Sequence, residues 1–492
     1  QCIVAFSALA NTRLLLTTNK DKNSETYRYQ FIHGLRFLSL FWICLGHSYL
    51  TISENMSRLA NGALLFERWE SPIISVAYLC VDTFFFLSGY LLYDVLNKQN
   101  KNHAVVAVVA LFRRFYRTTI PLFFVVMCMY LLPLIASGPN SKEFYDRFYA
   151  EVRDHWWDLL VQVYNWRLED LMKTTIGHLW YLSADYQLFV VAVIVIQVFG
   201  AKKWLVATTF AALSLVCCGA SAWRMYGTHL MPFVVAKNPS LRVVLDTSVH
   251  YYMRPYYHGV CFFFGCITFI LVEKYRKAQI SKTVQASLWG VSLFCGLYCI
   301  FMKLEWNRTD DVPPVAKRMF FAFVDRILWT VFLVWLAFSC ITGRGGYLTR
   351  FLSWSVFAPL ARLSFGVYLI HLPFYLLTRS LLRERFFISH YTMVSDCFSV
   401  LIWSYILSYF LFIACEAPVS RLDKLVFLRG PRRNAAQSSS AESGVQYDDH
   451  SPKATVDWDG GTTQGGTTKD CLKKQAFPIG KIENCASMQC RI

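Results

Sequence analysis

The sequence predicts an all-α, polytopic integral membrane helical bundle of about ten transmembrane helices, followed by a disordered C-terminal tail. Three observations carry that expectation. Of 492 residues, 55% are hydrophobic and only 16% are charged, against about 25% charged in average globular chains. Mean hydropathy is positive. The apolar residues gather into segments of roughly the 20 residues that a helix needs to cross the hydrocarbon core.

Composition excludes collagen, coiled coil and, for most of the chain, disorder. The 16 Cys are too sparse for a disulfide scaffold. Most lie in or beside apolar runs and read as small buried hydrophobes. No C-x-x-C pair occurs, so no metal site is expected. The net charge of +17 would suggest nucleic acid in a soluble chain. Here the basic residues lie largely between apolar runs, where they mark cytoplasmic loops and anionic headgroups. A membrane, and no nucleic acid, is therefore the expected partner.

In order, the spans fall at 35–51, 72–93, 119–137, 180–199, 204–221, 257–273, 285–303, 319–341, 355–378 and 393–415. The first is short, and the fourth carries a charge. Their connections set the orientation. Segment 94–118 holds Lys98, Lys101, Arg113, Arg114 and Arg117, and the turn near 200 holds Lys202 and Lys203. Segment 274–284 holds Lys274, Arg276, Lys277 and Lys282, and Arg421, Lys424, Arg429, Arg432 and Arg433 follow the last span. With ten spans all four lie on one side, expected to be the cytoplasm. The sequons at Asn55 and Asn307 then fall outside, as glycosylation requires.

Three regions follow. Residues 1–33 are a cytoplasmic N-terminal segment, 34–424 the transmembrane domain, and 425–492 a disordered cytoplasmic tail poor in apolar residues. The chain opens on Gln rather than Met, so a preceding segment is expected.

Ionisable residues inside spans are costly and raise a functional hypothesis. Arg36 and His47 are eleven residues apart, a rotation of three turns plus about 20°. They share one helix face, about 16 Å apart along the axis. The plainer alternative is an anchoring Arg and a His bonded to a neighbouring helix. A second span entering near residue 72 would carry Asp82 to about 15 Å depth, close to His47. There a carboxylate can orient and stabilise an imidazole, or simply pack against Ser or Tyr. Asp185, just after His178 and Trp180, and His371 lie in the same outer half. Together they suggest a water-filled cavity opening outward. On the inner side, Arg36, Arg114 and Arg117 suit phosphate through their forked donors, or mark lipid headgroups. This layout fits an enzyme using a cytoplasmic phosphate-bearing donor. It also fits a transporter with a proton-coupled His.

Seven blocks in order resemble a known family: LRFLSLFWICLGH, VDTFFFLSG, RRFYRTTIP, HLWYLSADYQ, YYMRPYYHGVCFFFG, CITGRGGYLTRFLSWSVFAPLARLSFGVYLIH and CEAPVSRLDK. The chain resembles the acyltransferase-3 superfamily, within it the animal "nose resistant to fluoxetine"-like branch, from about Arg36 to Asp423. His258 departs from that pattern, where a more basic residue is expected.

The resemblance implies transfer of an acyl group from acyl-CoA to a hydroxyl-bearing acceptor: a lipid, a glycan or a small molecule. Acyl-CoA enters as cosubstrate, with no bound cofactor. Arg36 and His47 match the signature of the first core helix. His47 is then the general base or a transient acyl carrier, and Asp82 sets its tautomer. Arg36, helped by Arg114 or Arg117, holds CoA phosphate, while Trp180, Asp185 and His371 contact substrate. The competing class is a carrier of lipids or hydrophobic compounds. The membrane is expected to be the plasma membrane or the endoplasmic reticulum.

Overall fold

The computed structural model describes residues 2–427 apart from 19–24, 52–54, 59–61, 63, 100–102, 201, 236–239 and 310. The expected tail lies outside the described residues, apart from the helical stretch that ends at Phe427. Among the described residues a helix stands at each of the ten expected spans: α1 Phe31–Leu50, α2 Leu79–Asn97, α3 His103–Met129, α4 Trp180–Phe199, α5 Lys203–Trp223, α6 Pro255–Tyr275, α7 Lys282–Phe301, α8 Val315–Ile341, α9 Ser364–Leu381 and α10 His390–Leu411. The described strands are two residues each, a parallel pair joining Met56–Ser57 to Phe386–Phe387.

Among the described residues, eight helices are long and apolar enough to cross a membrane. The two that fall short are α1 and α9, because His33, Arg36 and His47 in the first, and His371 and Arg379 in the second, lower their hydropathy. The first of them carries both signature residues, and the second carries His371.

Two boundaries differ from expectation. The helix bearing Asp82 starts at Leu79, after a separate short helix Pro72–Ser75, so Asp82 sits in its first turn. The depth counted from residue 72 does not hold. The third helix begins at His103 rather than near 119, so Arg113, Arg114 and Arg117 lie within it. Their charges hide the helix from a hydropathy count, and carboxylates compensate them: Asp185 for Arg114, and Asp423 for Arg113 and Arg117.

Helix α2 is buried on nearly all sides. It meets α6 through two glycines placed reciprocally. A Cβ on Gly89 would lie 2.0 Å from the carbonyl oxygen of Phe262, and one on Gly265 would lie 2.1 Å from that of Phe86. Small residues let backbones of membrane helices approach this closely. The approach brings the start of α2 against α6 and α8, where the buried charges meet.

Between α3 and α4 lies the helix Ser141–Leu160, whose Glu151 is buried. Its Oε2 accepts from the backbone N–H of Thr175 at 2.6 Å, the Thr175 hydroxyl at 2.7 Å and the N–H of Ile176 at 3.1 Å. Its Oε1 accepts from Tyr164. Burial pushes the Glu151 carboxyl above its ordinary range, and these donors oppose that shift. The held turn leads into Gly177–Leu179 and so fixes the entry to α4.

Of the two sequons, Asn307 is buried and its Nδ2 donates to Ser75 Oγ at 3.5 Å. Asn55 Nδ2 donates to the carbonyls of Arg379 and Leu382. Asn307 is thus packed inside the fold, which a sequon search cannot see.

Gly265→Ala tests the helix contact. A methyl there must push α2 and α6 apart, at a cost of about 1–3 kcal/mol. The expected result is a lower thermal unfolding midpoint in detergent, with little change from Gly290→Ala, whose Cβ would meet open space.

Candidate active site

Helix α1 carries the two signature residues in different states. Arg36 is 3% exposed. Its Nε and Nη2 have no hydrogen-bond partner, and among the described residues no carboxylate lies within ion-pair distance of it. Arg114 and Tyr181 are its electrostatic neighbours. His47 is half-buried, and among the described residues its ring makes no hydrogen bond. The shared face read from the sequence thus joins an uncompensated guanidinium to an imidazole with free nitrogens.

The group beside His47 is His371, not Asp82. Their ring centroids are 5.3 Å apart, and His178 lies 5.5 Å from His371. The register of α9 explains the meeting. His371, Tyr375 and Arg379 recur every four residues and share one face. Tyr375 donates to the carbonyl of Cys44 at 3.1 Å, and Arg379 Nη2 to that of Ser48 at 2.8 Å. That face is therefore pinned to α1 on both sides of His47. His371 Nδ1 donates within its own helix, 2.8 Å to the Tyr368 carbonyl and 3.1 Å to that of Val367. Pro373, inside α9, lacks the N–H that would bond the carbonyl of Leu369. That carbonyl faces the His178 ring instead.

Asp82 belongs to another assembly. Its Oδ1 is 2.8 Å from His258 Nδ1, and its Oδ2 is 3.1 Å from Arg326 Nε. Arg326 Nη1 donates to Asp325 at 2.5 Å, its Nη2 donates to the Tyr257 hydroxyl, and Asp325 takes a 2.5 Å bond from Lys303. All five ionisable groups are buried. The expected pairing of Asp82 with His47 is therefore corrected. The late start of α2 removes the depth match with His47, and the carboxylate faces α6 and α8 instead.

The other expected contacts divide between these regions. Trp180 packs against the His258 ring at 5.2 Å, as Phe85 does at 4.4 Å, so it walls the ion network. Asp185 pairs with Arg114, which also donates to Ser88 at 2.9 Å and lies over the Phe189 ring. This bridge joins two residues expected in opposite halves of the bilayer. Arg117 and Arg113 share Asp423, the latter through bonds of 2.8 and 2.6 Å. Arg114 and Arg117 thus carry carboxylate partners that Arg36 lacks. Among the described residues no cluster of His, Cys, Asp and Glu is shaped to hold a metal ion.

Sequence reasoning missed the roles of His178, His258, Arg326, Lys303 and Glu151. Arg326 and Asp325 were visible as a charged pair inside a span. His258, which departs from the family pattern, is fully buried. Nothing in one sequence links Lys303 to Asp325, because the pairing crosses from the end of α7 to α8.

The apolar helices and their buried, mutually compensated charges define a multi-pass membrane protein. Residues 29–415 match the family model described as "Acyltransferase domain", and the chain belongs to that family. It is 28% identical over 473 residues to Nose resistant to fluoxetine protein 6 of Caenorhabditis elegans, covering 89% of this chain and 56% of that protein. The chain thus spans 56% of the length of this curated relative. No solved structure matches.

Asp82→Asn separates structure from chemistry. Removing one partner of a buried ion network costs about 3–5 kcal/mol. The expected outcome is a large fall in thermal midpoint. A full thermal midpoint with loss of turnover alone would restore a catalytic role for Asp82.

Proposed function

We propose that the protein is a membrane-embedded acyltransferase that moves an acyl group from acyl-CoA to a hydroxyl-bearing lipid, glycan or small molecule. The observation that carries this reading is the buried Arg36 guanidinium with unpartnered nitrogens, on the helix face that leads to His47. A buried charge left unpaired is costly. A CoA phosphate would compensate it through charge-assisted bonds. The pantetheine arm would then run along α1 and present the thioester to His47. Membership of the acyltransferase family agrees with this class of reaction.

His47 is the general base on the acceptor hydroxyl or a transient acyl carrier. Its half-buried ring, free of hydrogen bonds, is open to either. No bound cofactor is required, and acyl-CoA is the cosubstrate. The Arg36 end faces the cytoplasm in this reading, because Lys98, Lys202, Lys203, Lys274, Arg276 and Lys277 lie at that end of the helices. The tail follows on the same side. The host membrane is the plasma membrane or the endoplasmic reticulum.

The test uses purified, detergent-solubilised protein with radiolabelled acetyl-CoA and longer acyl-CoAs, adding lipid and glycan extracts. Wild type is expected to form a labelled product and His47→Ala to lose at least about 100-fold in kcat. Arg36→Ala is expected chiefly to raise KM for acyl-CoA, with partial recovery in Arg36→Lys. Turnover by a base falls as pH drops and the imidazole takes up a proton. Absence of CoA binding and of turnover in folded wild type would overturn the enzyme and favour a carrier of hydrophobic compounds.

A further inference from the structure

We infer that His371 is the positioning residue for His47, accepting its ring N–H through Nε2 and so doing for it what a carboxylate does in other acyl-transfer sites. The inference rests on the acyltransferase reading above.

Its first support is the commitment of every nearby acid. Asp82 is held by His258 and Arg326, Asp185 by Arg114, and Asp396 by Arg379 at 2.9 Å. Among the described residues no carboxylate is left for His47. The second support is the tautomer of His371. Its Nδ1 faces two carbonyl oxygens, which only accept, so Nδ1 carries the proton. In the neutral ring Nε2 is then a lone pair. It is buried and has no partner. Nδ1 points back at its own helix, so Nε2, across the ring, points away from it. The face that carries His371 is the one pinned to α1 at Cys44 and Ser48.

The third support is spacing. A ring nitrogen lies about 1.2 Å from the imidazole centre, and an N–H···N bond is about 3 Å long, so bonded rings have centres about 5.4 Å apart. The pairs His47–His371 and His371–His178 stand at 5.3 and 5.5 Å. Both pairs thus stand at the spacing of a ring-to-ring hydrogen bond. The titratable groups facing His371 are His47 from α1, His178 from the turn before α4, and Tyr368 from its own helix. Tyr368 is held by donating to the His178 carbonyl at 2.7 Å.

In the reaction, the acceptor O–H breaks and its proton goes to the free nitrogen of His47. The oxygen bonds to the thioester carbonyl carbon, the C–S bond breaks, and the departing thiolate takes that proton from the imidazolium. His371 neither gains nor loses a proton overall. Its lone pair holds His47 in the tautomer whose other nitrogen meets the acceptor, and it stabilises the imidazolium between the two steps.

Two amide substitutions divide the His371 ring. His371→Asn keeps a donor near Nδ1 and removes the acceptor at Nε2. His371→Gln places an amide oxygen near Nε2. With acetyl-CoA or a longer acyl-CoA as donor, His371→Asn is expected to keep the wild-type thermal midpoint and KM for acyl-CoA. Its kcat is expected to fall by about 100-fold or more. His371→Gln is expected to keep at least a tenth of wild-type kcat, and to carry the test alone if the Asn variant fails to fold. Wild-type kcat in folded His371→Asn, or equal loss of kcat in both variants, overturns the inference while leaving the acyltransferase intact. Absence of turnover and of acyl-CoA binding in wild type removes both.

Discussion

The carboxylate of Asp82 is the constraint around which the bundle is arranged. It is fully buried, hydrogen-bonded to His258 of α6 and ion-paired with Arg326 of α8. Arg326 passes the charge on to Asp325, and Asp325 to Lys303 at the end of α7. Ionised groups out of water are tolerable only when each has a partner of opposite sign. The network therefore fixes how four helices meet, and it acts where the glycine contact brings α2 and α6 together. The hydrogen bonds also fix a proton. His258 Nε2 donates to the Tyr252 carbonyl at 2.7 Å, while Nδ1 faces the Asp82 carboxylate. Two oxygens of this kind cannot be met by one N–H, so a second proton lies between Nδ1 and Oδ1. Phe85 and Trp180 both pack against the ring. The network is closed by its own bonds, which leaves the polar chemistry of α1 to a separate group of residues.

The class of fold was open to view in the sequence, and so was the shared face of Arg36 and His47. Both follow from quantities counted along one segment: apolar length and 100° per residue. The partners of those residues were not open to view. Depth along a helix can be counted only from a known first residue, and α2 starts seven residues after the position assumed for it. That displacement is about two turns of helix. It was enough to remove the depth match of Asp82 with His47. The third helix shows the same limit from the other side. Arg113, Arg114 and Arg117 look like a loop to a hydropathy count because the acids that compensate them, Asp185 and Asp423, lie 71 and 306–310 positions away in sequence. Pairing across helices depends on azimuth and on which helices are neighbours, and a single sequence carries neither.

The three arginines assigned to phosphate are therefore not equivalent. Arg114 sits between Asp185, Ser88 and the face of Phe189, an enclosed position. Arg113 and Arg117 tie α3 to the C-terminal helix Ala417–Phe427 through Asp423. An incoming phosphate would have to displace a buried carboxylate from either, and the displaced acid would then stand unpaired. At Arg36 no exchange is needed. Its charge is already buried and already lacks an acceptor, so binding an anion removes a penalty instead of creating one.

A rigid helix between the two signature residues has a further consequence. Arg36 and His47 are separated by three turns of α1, with no proline between them, and α9 grips the His47 end through Cys44 and Ser48. Their separation is set by the rise of the helix and cannot adapt to the ligand. A donor anchored at Arg36 by its phosphate therefore presents whatever lies a fixed distance along its chain. In acyl-CoA that group is the thioester, whatever the length of the acyl chain beyond it. If acyl-CoA is the donor, as proposed, the acyl chain would extend past His47. There the ring of Tyr49, the Met56–Ser57 and Phe386–Phe387 pair, and His390 on α10 form the surroundings.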